Sequence, residues 1–350
     1  MNKIKVLIAD DSALMRRSLK EILESEGNIE VIASARDGVD VLEKADLYNP
    51  DVITLDINMP RMDGITALKK LISKKIAPVI MVSSLTQAGA AITVKALELG
   101  AFDYVSKPGG TVSIDMRSVA TELIRKVVAA SSNDIVKRLS RKSDKSIIKR
   151  TVYSRKSSYL KFGYKAVAIG ISTGGPKTIF DVLPYLPASL NAAIFLVQHI
   201  AASFTETFAN RINVSCKMKC VEARAGMDVE PGTIYLGRGG YHMTVVEKAN
   251  RQVVIRTPKR PDHLFIPSVD VMMDSVVGVY GADTVGVLMT GMGDDGANSM
   301  VKIVKSGGFT IAESEESAVV WGMPGEAVAR GGARVVLPSW EVANAIIGQC

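Results

Sequence analysis

The feature that most constrains the fold is an alternation of short apolar runs with amphipathic stretches over the first 130 residues of this 350-residue chain. The runs KVLIAD, EVIASA, DVITLD, PVIMVS and DYVSK have the length and composition of buried strands, and helical patterns such as SALMRRSLKEILES lie between them. Strands that alternate with helices form a parallel sheet with helices on both faces, because the crossovers are right-handed. The sequence therefore predicts an α/β domain with a five-stranded, largely parallel sheet.

A second series of apolar runs begins at Lys165 and predicts another α/β domain. Strands are predicted at KAVAIG, AAIFLVQ, GTIYLG, QVVIR, TVGVLMT, FTIA and ARVVL, with helices between several of them. We expect this larger domain to be doubly wound, with a largely parallel sheet and some antiparallel strands in its middle. Residues 131–162 are rich in Ser and basic residues and are interpreted as a solvated linker. The expected domains are residues 1–130 and 163–350.

The net charge of +7 is concentrated in one segment. Residues 133–165 carry +9, and the rest of the chain carries −2. Nucleic-acid binding needs cationic surface on a folded face, with a reading helix or a stacking platform, and the sequence indicates neither. No nucleic-acid partner is therefore expected, and a solvated tether is favoured for the basic segment over a membrane or receptor contact.

Neither membrane insertion nor disulfide bonding is expected. No uninterrupted apolar stretch reaches the roughly 18 residues of a spanning helix. The opening MNKIKVLIADDS turns acidic after one short strand, unlike a secretory signal. Cys216, Cys220 and Cys350 are too few for a disulfide framework and are expected to be reduced thiols without a metal. A cytoplasmic protein is predicted.

Polar side chains follow four of the predicted strands of the first domain. Asp10 and Asp11 follow the first strand, Asp56 ends the third, Ser83 ends the fourth and Lys107 ends the fifth. The carboxyl ends of parallel strands open at one edge of a sheet, and three carboxylates that meet there call for a divalent cation such as Mg²⁺. A carboxylate beside the cation can attack a phosphoryl group. Each aspartate taken singly is more simply a solvated strand end, but together they predict a phosphoacceptor pocket.

About 120 residues at the start of the chain resemble the receiver domain of two-component response regulators. The resemblance rests on Asp10 with Asp11, Asp56 followed by INMPRMDG, Ser83, Tyr104, and Lys107 with Pro108.

This resemblance implies phosphorylation of Asp56 by a histidine kinase. It also implies that Mg²⁺ is held by Asp11, Asp56 and the backbone carbonyl of Asn58. Ser83 aligns with the family's switch hydroxyl and Tyr104 with its switch aromatic, and Ser84 is a further candidate for the hydroxyl.

The stretch GISTGGPKT at the end of the first strand of the second domain contains a candidate nucleophile. It is not a P-loop, since Pro176 stands where that motif needs lysine, and it is not a dinucleotide fingerprint, since Ser172 occupies a glycine position. It does fit GxSxG as Gly170, Ser172 and Gly174, after a strand and before a predicted helix, which is the context of a nucleophile elbow. A helix cap is the alternative function of this serine.

A serine nucleophile needs a base and an orienting carboxylate. His199 ends the strand after the serine, so adjacent parallel strands would bring the two side chains together. Of the other histidines, His242 precedes a strand and His263 lies in a predicted loop that could shape a substrate pocket. Asp294 and Asp295 follow an apolar strand, and either could instead cap the next helix.

From about residue 163 onward, the chain closely resembles the catalytic domain of chemotaxis receptor methylesterases. The matching stretches are GISTGGP with Ser172, VQHI with His199, RPDHLFIPSVDVMMDS, and TGMGDDGANSM, in which Asp295 falls on the family's catalytic aspartate. The resemblance implies hydrolysis of glutamate γ-methyl esters on chemoreceptors, and deamidation of receptor glutamines, through an acyl-enzyme that needs no cofactor. Backbone donors near Thr173 or Met292 would stabilise the oxyanion.

Together the two resemblances imply an enzyme of chemotactic adaptation that a histidine kinase controls. In this hypothesis the unphosphorylated receiver covers the mouth of the Ser172 site, and a phosphoryl group on Asp56 weakens that docking. Two alternatives remain. A receiver-controlled DNA-binding regulator would need a compact helix-turn-helix domain after the linker, and a signalling scaffold would keep the fold without the reaction.

Overall fold

The computed structural model describes residues 3–83, 87–107, 113–132 and 160–350. The chain divides into two compact units between residues 142 and 143. Most of the predicted linker, together with Ser84 and Pro108, lies outside the described residues.

The first unit contains a five-stranded parallel sheet with strand order β2-β1-β3-β4-β5. Its strands are β1 (Ile4–Ala9), β2 (Ile29–Ala35), β3 (Val52–Asp56), β4 (Val79–Ser83) and β5 (Asp103–Ser106). Its helices are α1 (Ala13–Glu24), α2 (Gly38–Tyr48), α3 (Gly64–Lys74), α4 (Gln87–Leu99) and α5 (Ser113–Ala130). The predicted alternation of strands and helices is confirmed.

Short polar side chains begin the helices at the carboxyl edge of this sheet. Ser12 caps α1 by accepting the N–H of Met15, and Asp63 caps α3 by accepting the N–H of Thr66. Such caps satisfy backbone donors that have no partner inside the helix. They fix where the helices begin, and so hold the strand ends with Asp10, Asp11 and Asp56 at a common edge.

The second unit has a seven-stranded, fully parallel sheet and a separate antiparallel pair of strands. Its strands are β6 (Lys165–Ile171), β7 (Ala192–Gln198), β8 (Lys219–Glu222), β9 (Thr233–Leu236), β10 (Thr244–Glu247), β11 (Val253–Arg256), β12 (Thr284–Leu288), β13 (Phe309–Glu313) and β14 (Val335–Leu337). Its helices are α6 (Gly175–Thr178), α7 (Ala202–Ser215), α8 (Val269–Tyr280), α9 (Ala297–Lys305), α10 (Met323–Ala329) and α11 (Ser339–Gln349).

The strand order of the large sheet is β14-β13-β12-β6-β7-β9-β8, so the first strand of the unit lies in its centre. The chain builds outward from β6 on one side through β7 and later returns to its other side with β12. Ligand sites of open α/β sheets lie at such a reversal, beyond the carboxyl ends of the strands. The loops that follow β6, β7 and β12 therefore meet at the edge where a site is expected.

The predicted doubly wound fold is confirmed, with three differences of detail. Among the described strands the antiparallel pair is β10 with β11, next to one isolated antiparallel bridge between Asp228 and Val254, and β8 and β10 were not among the predicted strands. The helix expected after GISTGGP is the four-residue α6, which continues into 3₁₀ turns at Ile179–Asp181 and Leu183–Tyr185. Pro184 lacks the N–H that a continuing helix would need, which accounts for the break before the last turn, whereas Pro176 lies in the first turn of α6, where proline is tolerated.

The core of the second unit is packed around α8. Met272, Met273 and Val276 of this helix are fully buried and belong to a cluster with residues of β6 and β7. At the end of α8, the ring of Tyr280 packs against Phe162 with centroids 5.0 Å apart. This packing fixes α8 against the sheet, which matters because its first turn reaches the candidate site.

All three cysteines are free, as predicted, and burial raises the pKa of Cys216 to about 11 and that of Cys220 to about 12. Among the helices of the described residues, none is both long enough and apolar enough to span a membrane.

Gly64, the first residue of α3, packs directly against the backbone of Asp56. A Cβ atom at Gly64 would lie 2.0 Å from the backbone carbonyl oxygen of Asp56. We expect Gly64→Ala to destabilise the first unit by roughly 1–3 kcal/mol, because the backbone must shift to remove the overlap. Urea unfolding measures this effect. Gly27→Ala is the matched control, since nothing lies within 4 Å of a Cβ atom there, and equal effects of the two substitutions would contradict the prediction.

Candidate active site

Ser172 lies directly after β6 and is 7% exposed. Its backbone N–H donates to the carbonyl of Thr290 at 2.9 Å. The turn continues through Gly174 at φ +80°, a conformation that favours glycine. Gly174 itself is the N-cap of α6, and no side chain caps that helix. Ser172 therefore does not cap this helix, and its hydroxyl faces an imidazole instead.

The imidazole belongs to His199, which follows β7 on the neighbouring parallel strand, with Ile171 paired to Gln198. His199 Nδ1 lies 3.1 Å from Ser172 Oγ, and His199 Nε2 lies 2.9 Å from Asp295 Oδ2. The Nε2–H tautomer satisfies both contacts: Nε2–H donates to the carboxylate, and Nδ1 accepts from the hydroxyl. In the serine-protease template the two ring nitrogens have the opposite partners. The order hydroxyl, imidazole, carboxylate is nevertheless the same.

Asp295 is buried and caps the first turn of α8. Its Oδ1 accepts the Ser268 hydroxyl at 2.8 Å, and its Oδ2 accepts the N–H of Val269 at 2.7 Å. A further bond comes from the N–H of Asp270 to Oδ1 at 3.0 Å. Burial opposes ionisation of this carboxyl, but the bond from His199 and the backbone N–H groups outweigh it and lower the pKa of Asp295 to about 2. The group is a carboxylate throughout the neutral range.

The expected alternative, an aspartate that caps the following helix, is wrong for both aspartates of the pair. Gly296 is the N-cap of α9, without a side-chain cap. Asp294 is exposed and pairs with Arg330 at 2.7 Å. Asp295 caps α8, which precedes it in the chain, and so links two distant segments.

The other two histidines have different surroundings. His242 is fully buried and structural: its Nδ1 accepts the N–H of Ser268 at 3.1 Å, and its Nε2 donates to the carbonyl of Pro261 at 2.8 Å. His263 is partly exposed, with Nε2 3.9 Å from Asp295 Oδ1. The predicted loop around His263 is confirmed, and it borders the site. Phe265 of this loop stacks on the imidazole of His199, with ring centroids 4.0 Å apart.

Thr173 and Met292, the predicted oxyanion donors, belong to two turns that meet at the serine. The Ser172 carbonyl accepts the Gln198 amide at 3.0 Å and the N–H of Gly175 at 2.8 Å. Since a peptide is trans, the Thr173 N–H on the same peptide points the opposite way. Met292 follows Gly291, where a Cβ atom would lie 2.8 Å from Ser172 Cβ.

Sequence reasoning did not identify Ser268, Phe265 or Gln198. Ser268 had a readable signal, since a serine directly before an apolar helix is a typical N-cap. Phe265 and Gln198 had none, because their partners are set by loop packing and by strand pairing.

In the first unit, the predicted acidic residues do come together. Carboxylate oxygens of Asp10, Asp11 and Asp56 all lie within 4.8 Å of one another. Lys107 Nζ lies 2.9 Å from Asp10 Oδ2 and 2.8 Å from Asp56 Oδ2. These two oxygens have no further donor among the described residues. Such a set of hard oxygen atoms fits a divalent cation of the Mg²⁺ type.

Burial raises the pKa of Asp56, and the negative charge of Asp10 adds to this effect, while Lys107 opposes both. Nearby, Thr93 Oγ1 donates to Ser83 Oγ at 2.8 Å. Tyr104 is 6% exposed, and its ring faces Lys126 Nζ at 5.0 Å from the centroid. The predicted pocket residues Ser83 and Lys107 therefore lie at this end of the sheet, and Asn58 is exposed beside it, whereas Tyr104 lies earlier in β5 and pairs with Met81.

A hydroxyl, an imidazole and a carboxylate in hydrogen-bonded series at the edge of a parallel sheet are typical of α/β serine hydrolases. An acidic, lysine-paired pocket on a separate five-stranded α/β unit is typical of a phosphoacceptor domain. The fold and the two sites thus define the class as a receiver-linked hydrolase.

Comparison with known proteins gives the family. A family model described as CheB methylesterase matches residues 167–346, and one described as response regulator receiver domain matches residues 6–117. The chain belongs to the CheB methylesterase family and carries a receiver domain, which confirms both resemblances.

Similar proteins match almost the whole chain. The protein-glutamate methylesterase/protein-glutamine glutaminase 3 of Syntrophomonas wolfei is 56% identical over 350 residues, with 98% of each chain covered. The protein-glutamate methylesterase/protein-glutamine glutaminase of Caldanaerobacter subterraneus is 48% identical, with 99% of this chain and 96% of the relative covered. The crystal structure of the Thermotoga maritima CheB methylesterase catalytic domain has a TM-score of 0.52 at 34% identity, and covers 53% of this chain and 99% of that domain.

The low pKa of Asp295 predicts how acid affects stability. Because the folded-state pKa is about 2 against an ordinary value of 3.8, the stabilisation is complete above pH 3.8 and is lost as the pH falls through 2. We expect the wild type to lose about 2 kcal/mol relative to Asp295→Asn between about pH 5 and pH 2. Denaturant unfolding at a series of pH values measures this difference. Asp294→Asn, at the exposed neighbouring position, serves as the control and should not show it.

Proposed function

We propose that this chain hydrolyses glutamate γ-methyl esters, and deamidates glutamines, in chemoreceptor proteins. The observation that carries the proposal is the hydrogen-bonded series from Ser172 through His199 to Asp295. The names of the relatives support the substrate class. In this proposal residues 163–350 are the catalytic domain, residues 1–130 the receiver and residues 131–162 a linker, in a cytoplasmic protein.

The first step forms an acyl-enzyme. The Ser172 Oγ attacks the ester carbonyl carbon while His199 Nδ1 takes the hydroxyl proton, and Asp295 stabilises the imidazolium that results. The N–H groups of Thr173 and Met292 are the proposed donors to the oxyanion. When the intermediate collapses, the bond to the methoxy group breaks, and the imidazolium returns the proton so that methanol leaves. A glutamine substrate loses ammonia at the same point.

The second step restores the enzyme. His199 removes a proton from water, which attacks the acyl carbon, and the bond to Ser172 breaks with return of the proton to its oxygen. The product is a glutamate carboxylate. No cofactor takes part in either step, since every proton is moved between the serine, the imidazole, water and the leaving group.

In the receiver, Asp56 is the proposed phosphorylation site. One carboxylate oxygen of Asp56 attacks the phosphorus of a phosphorylated histidine kinase, and the bond from phosphorus to the donor breaks. Asp11, Asp56 and the backbone carbonyl of Asn58 would hold Mg²⁺, whose charge would reduce repulsion between the two anions. Ser83 and Lys107 would bind the phosphoryl oxygens. We propose that the unphosphorylated receiver blocks access to the Ser172 site. Phosphorylation of Asp56 would repack the face of the receiver near Tyr104 and so remove this block.

Substitution of the triad tests the catalytic proposal. Ser172→Ala and His199→Ala should each lower methanol release from methylated receptor membranes by about 10⁴-fold or more, because the residues act as a unit. A fluorophosphonate should label the wild type and neither variant. Labelling of Ser172→Ala at a different residue, or full activity of either variant, would refute the assignment and favour a scaffold.

Phosphorylation control is tested separately. Acetyl phosphate with Mg²⁺ should raise methanol release by the wild type, and Asp56→Asn should abolish that increase while it keeps the basal rate, because it removes only the phosphoacceptor. Asp51→Asn, at an exposed aspartate before the same strand, is the control. An Asp56→Asn protein that still responds would contradict the proposed site. A protein that binds duplex DNA in a salt-dependent manner would favour the transcription-regulator alternative.

A further inference from the structure

The turn that follows β12, residues 290–293, rests on a buried carboxylate that the proposed mechanism does not use. Glu313, the last residue of β13, is fully buried. Its Oε2 accepts the N–H of Thr290 at 2.7 Å, and its Oε1 accepts the hydroxyl of Ser317 at 2.7 Å. A buried carboxylate is costly unless donors satisfy its oxygens, so both bonds hold this side chain in one place.

Thr290, in turn, makes two hydrogen bonds to the turn that carries Ser172, one on each side of the peptide between Ser172 and Thr173. Its carbonyl accepts the N–H of Ser172 at 2.9 Å, and its hydroxyl donates to the carbonyl of Thr173 at 2.9 Å. These bonds fix the peptides before and after the one that carries the Thr173 N–H. The orientation of that N–H, a proposed oxyanion donor, therefore depends on the position of Thr290.

Thr290 also determines the position of the second proposed oxyanion donor, the N–H of Met292. Thr290 is followed by Gly291, which packs against Ser172, and then by Met292. The Gly291 N–H donates to the carbonyl of Val320 at 3.0 Å, and the Val320 N–H donates to the Thr290 hydroxyl at 3.0 Å. A shift of Thr290 would move both oxyanion donors relative to the serine.

Behind Glu313 a chain of hydrogen bonds leads to Asp181, a half-buried carboxylate. Ser317 Oγ accepts the N–H of Ser339 at 2.9 Å, and Ser339 Oγ donates to Asp181 Oδ2 at 2.8 Å. Asp181 also faces Lys177, and burial raises the pKa of Asp181 while it lowers that of Lys177. This network fixes the far side of Glu313.

The charge of Glu313 is not what Thr290 requires. Burial, with a smaller contribution from Asp181, raises the pKa of Glu313 to about 7. A proton on Oε1 would leave Oε2 free to accept from Thr290, so the neutral and charged forms can both make that bond. The Thr290 N–H therefore requires an acceptor atom within hydrogen-bond distance, and not a negative charge.

We infer that Glu313 is a positioning residue for the oxyanion donors, acting through its hydrogen bond to the Thr290 N–H. The inference rests on the proposed function of Ser172. A carboxamide of the same length keeps an acceptor within reach of Thr290, whereas a carboxylate one methylene shorter keeps the charge and loses the reach. The two substitutions therefore separate positioning from charge.

The experiment compares Glu313→Gln with Glu313→Asp in the full chain. We measure methanol release per active site, with the number of sites counted by fluorophosphonate labelling of Ser172. Glu313→Gln should keep kcat within about threefold, and Glu313→Asp should lower kcat by about 10- to 100-fold at unchanged KM, the size expected for a displacement of about 1 Å near the reacting atoms. Equal kcat in wild type and Glu313→Asp, or a larger loss in Glu313→Gln, would overturn the inference.

Two further variants guard against a purely structural explanation. Ile311→Ala creates a cavity on the same buried strand, and it should lower stability but not kcat per labelled site. If it lowers kcat as much as Glu313→Asp does, the effect is structural and the inference is wrong. Should Glu313→Asp not fold, Thr290→Val, which removes the hydroxyl bond to Thr173, must lower kcat per labelled site by about 10- to 100-fold, and an unchanged kcat would overturn the inference.

Failure of this inference and failure of the proposed function give different results. If the wild type neither releases methanol nor reacts with the fluorophosphonate, the proposed function is wrong. If the wild type is active and the Glu313 variants behave alike, only the positioning role is wrong.

Discussion

The second unit depends on one buried carboxylate, Asp295, both of whose oxygens accept hydrogen bonds. Asp295 would be expensive to bury, but the first turn of α8 and the Ser268 hydroxyl satisfy it. The same contacts anchor α8, the central helix of the core, to the loop after β12. Because the carboxylate is ionised and fixed, it can hold the His199 ring in one tautomer. Packing of the core and orientation of the His199 ring are therefore consequences of the same set of hydrogen bonds.

The site also depends on the parallel pairing of β6 with its two neighbouring strands. β6 lies between β7 and β12 in register, so the residues just beyond these three strands meet at one edge of the sheet. The approach is close enough that side chains are excluded at particular positions. A Cβ atom at Gly175 would lie 2.4 Å from Gln198 Oε1, and one at Gly170 would lie 2.3 Å from Val269. Gly170 and Gly175 of GISTGGP are thus required by contacts with α8 and with the neighbouring strand, and Gly174 by its positive φ in the turn.

Sequence reasoning predicted the elements whose signals are local and missed those that depend on distant partners. Apolar runs located most strands of both sheets, and the order of strands in a doubly wound fold brought Ser172 and His199 to the same edge. The choice of Asp295 over Asp294 came from family resemblance alone. No local pattern indicates that an aspartate will cap a helix that lies earlier in the chain. Glu313 was not predicted for the same reason. The stretch FTIAE indicates only a strand with a polar end, and the partner of Glu313, Thr290, is 23 residues away.

The two sites use carboxylates at strand ends in opposite ways. In the second unit Asp295 accepts bonds on both oxygens, so in the proposed mechanism its environment does not need to reorganise, as preorganised electrostatic stabilisation requires. In the first unit Asp10 Oδ2 and Asp56 Oδ2 share a single ammonium, and burial raises the pKa of Asp56. That pocket is left short of positive charge, so the proposed cation and phosphoryl group would change its contacts substantially. A satisfied carboxylate suits a constant catalytic role, whereas an unsatisfied cluster suits a switch, because only the second has free energy to release when a ligand binds.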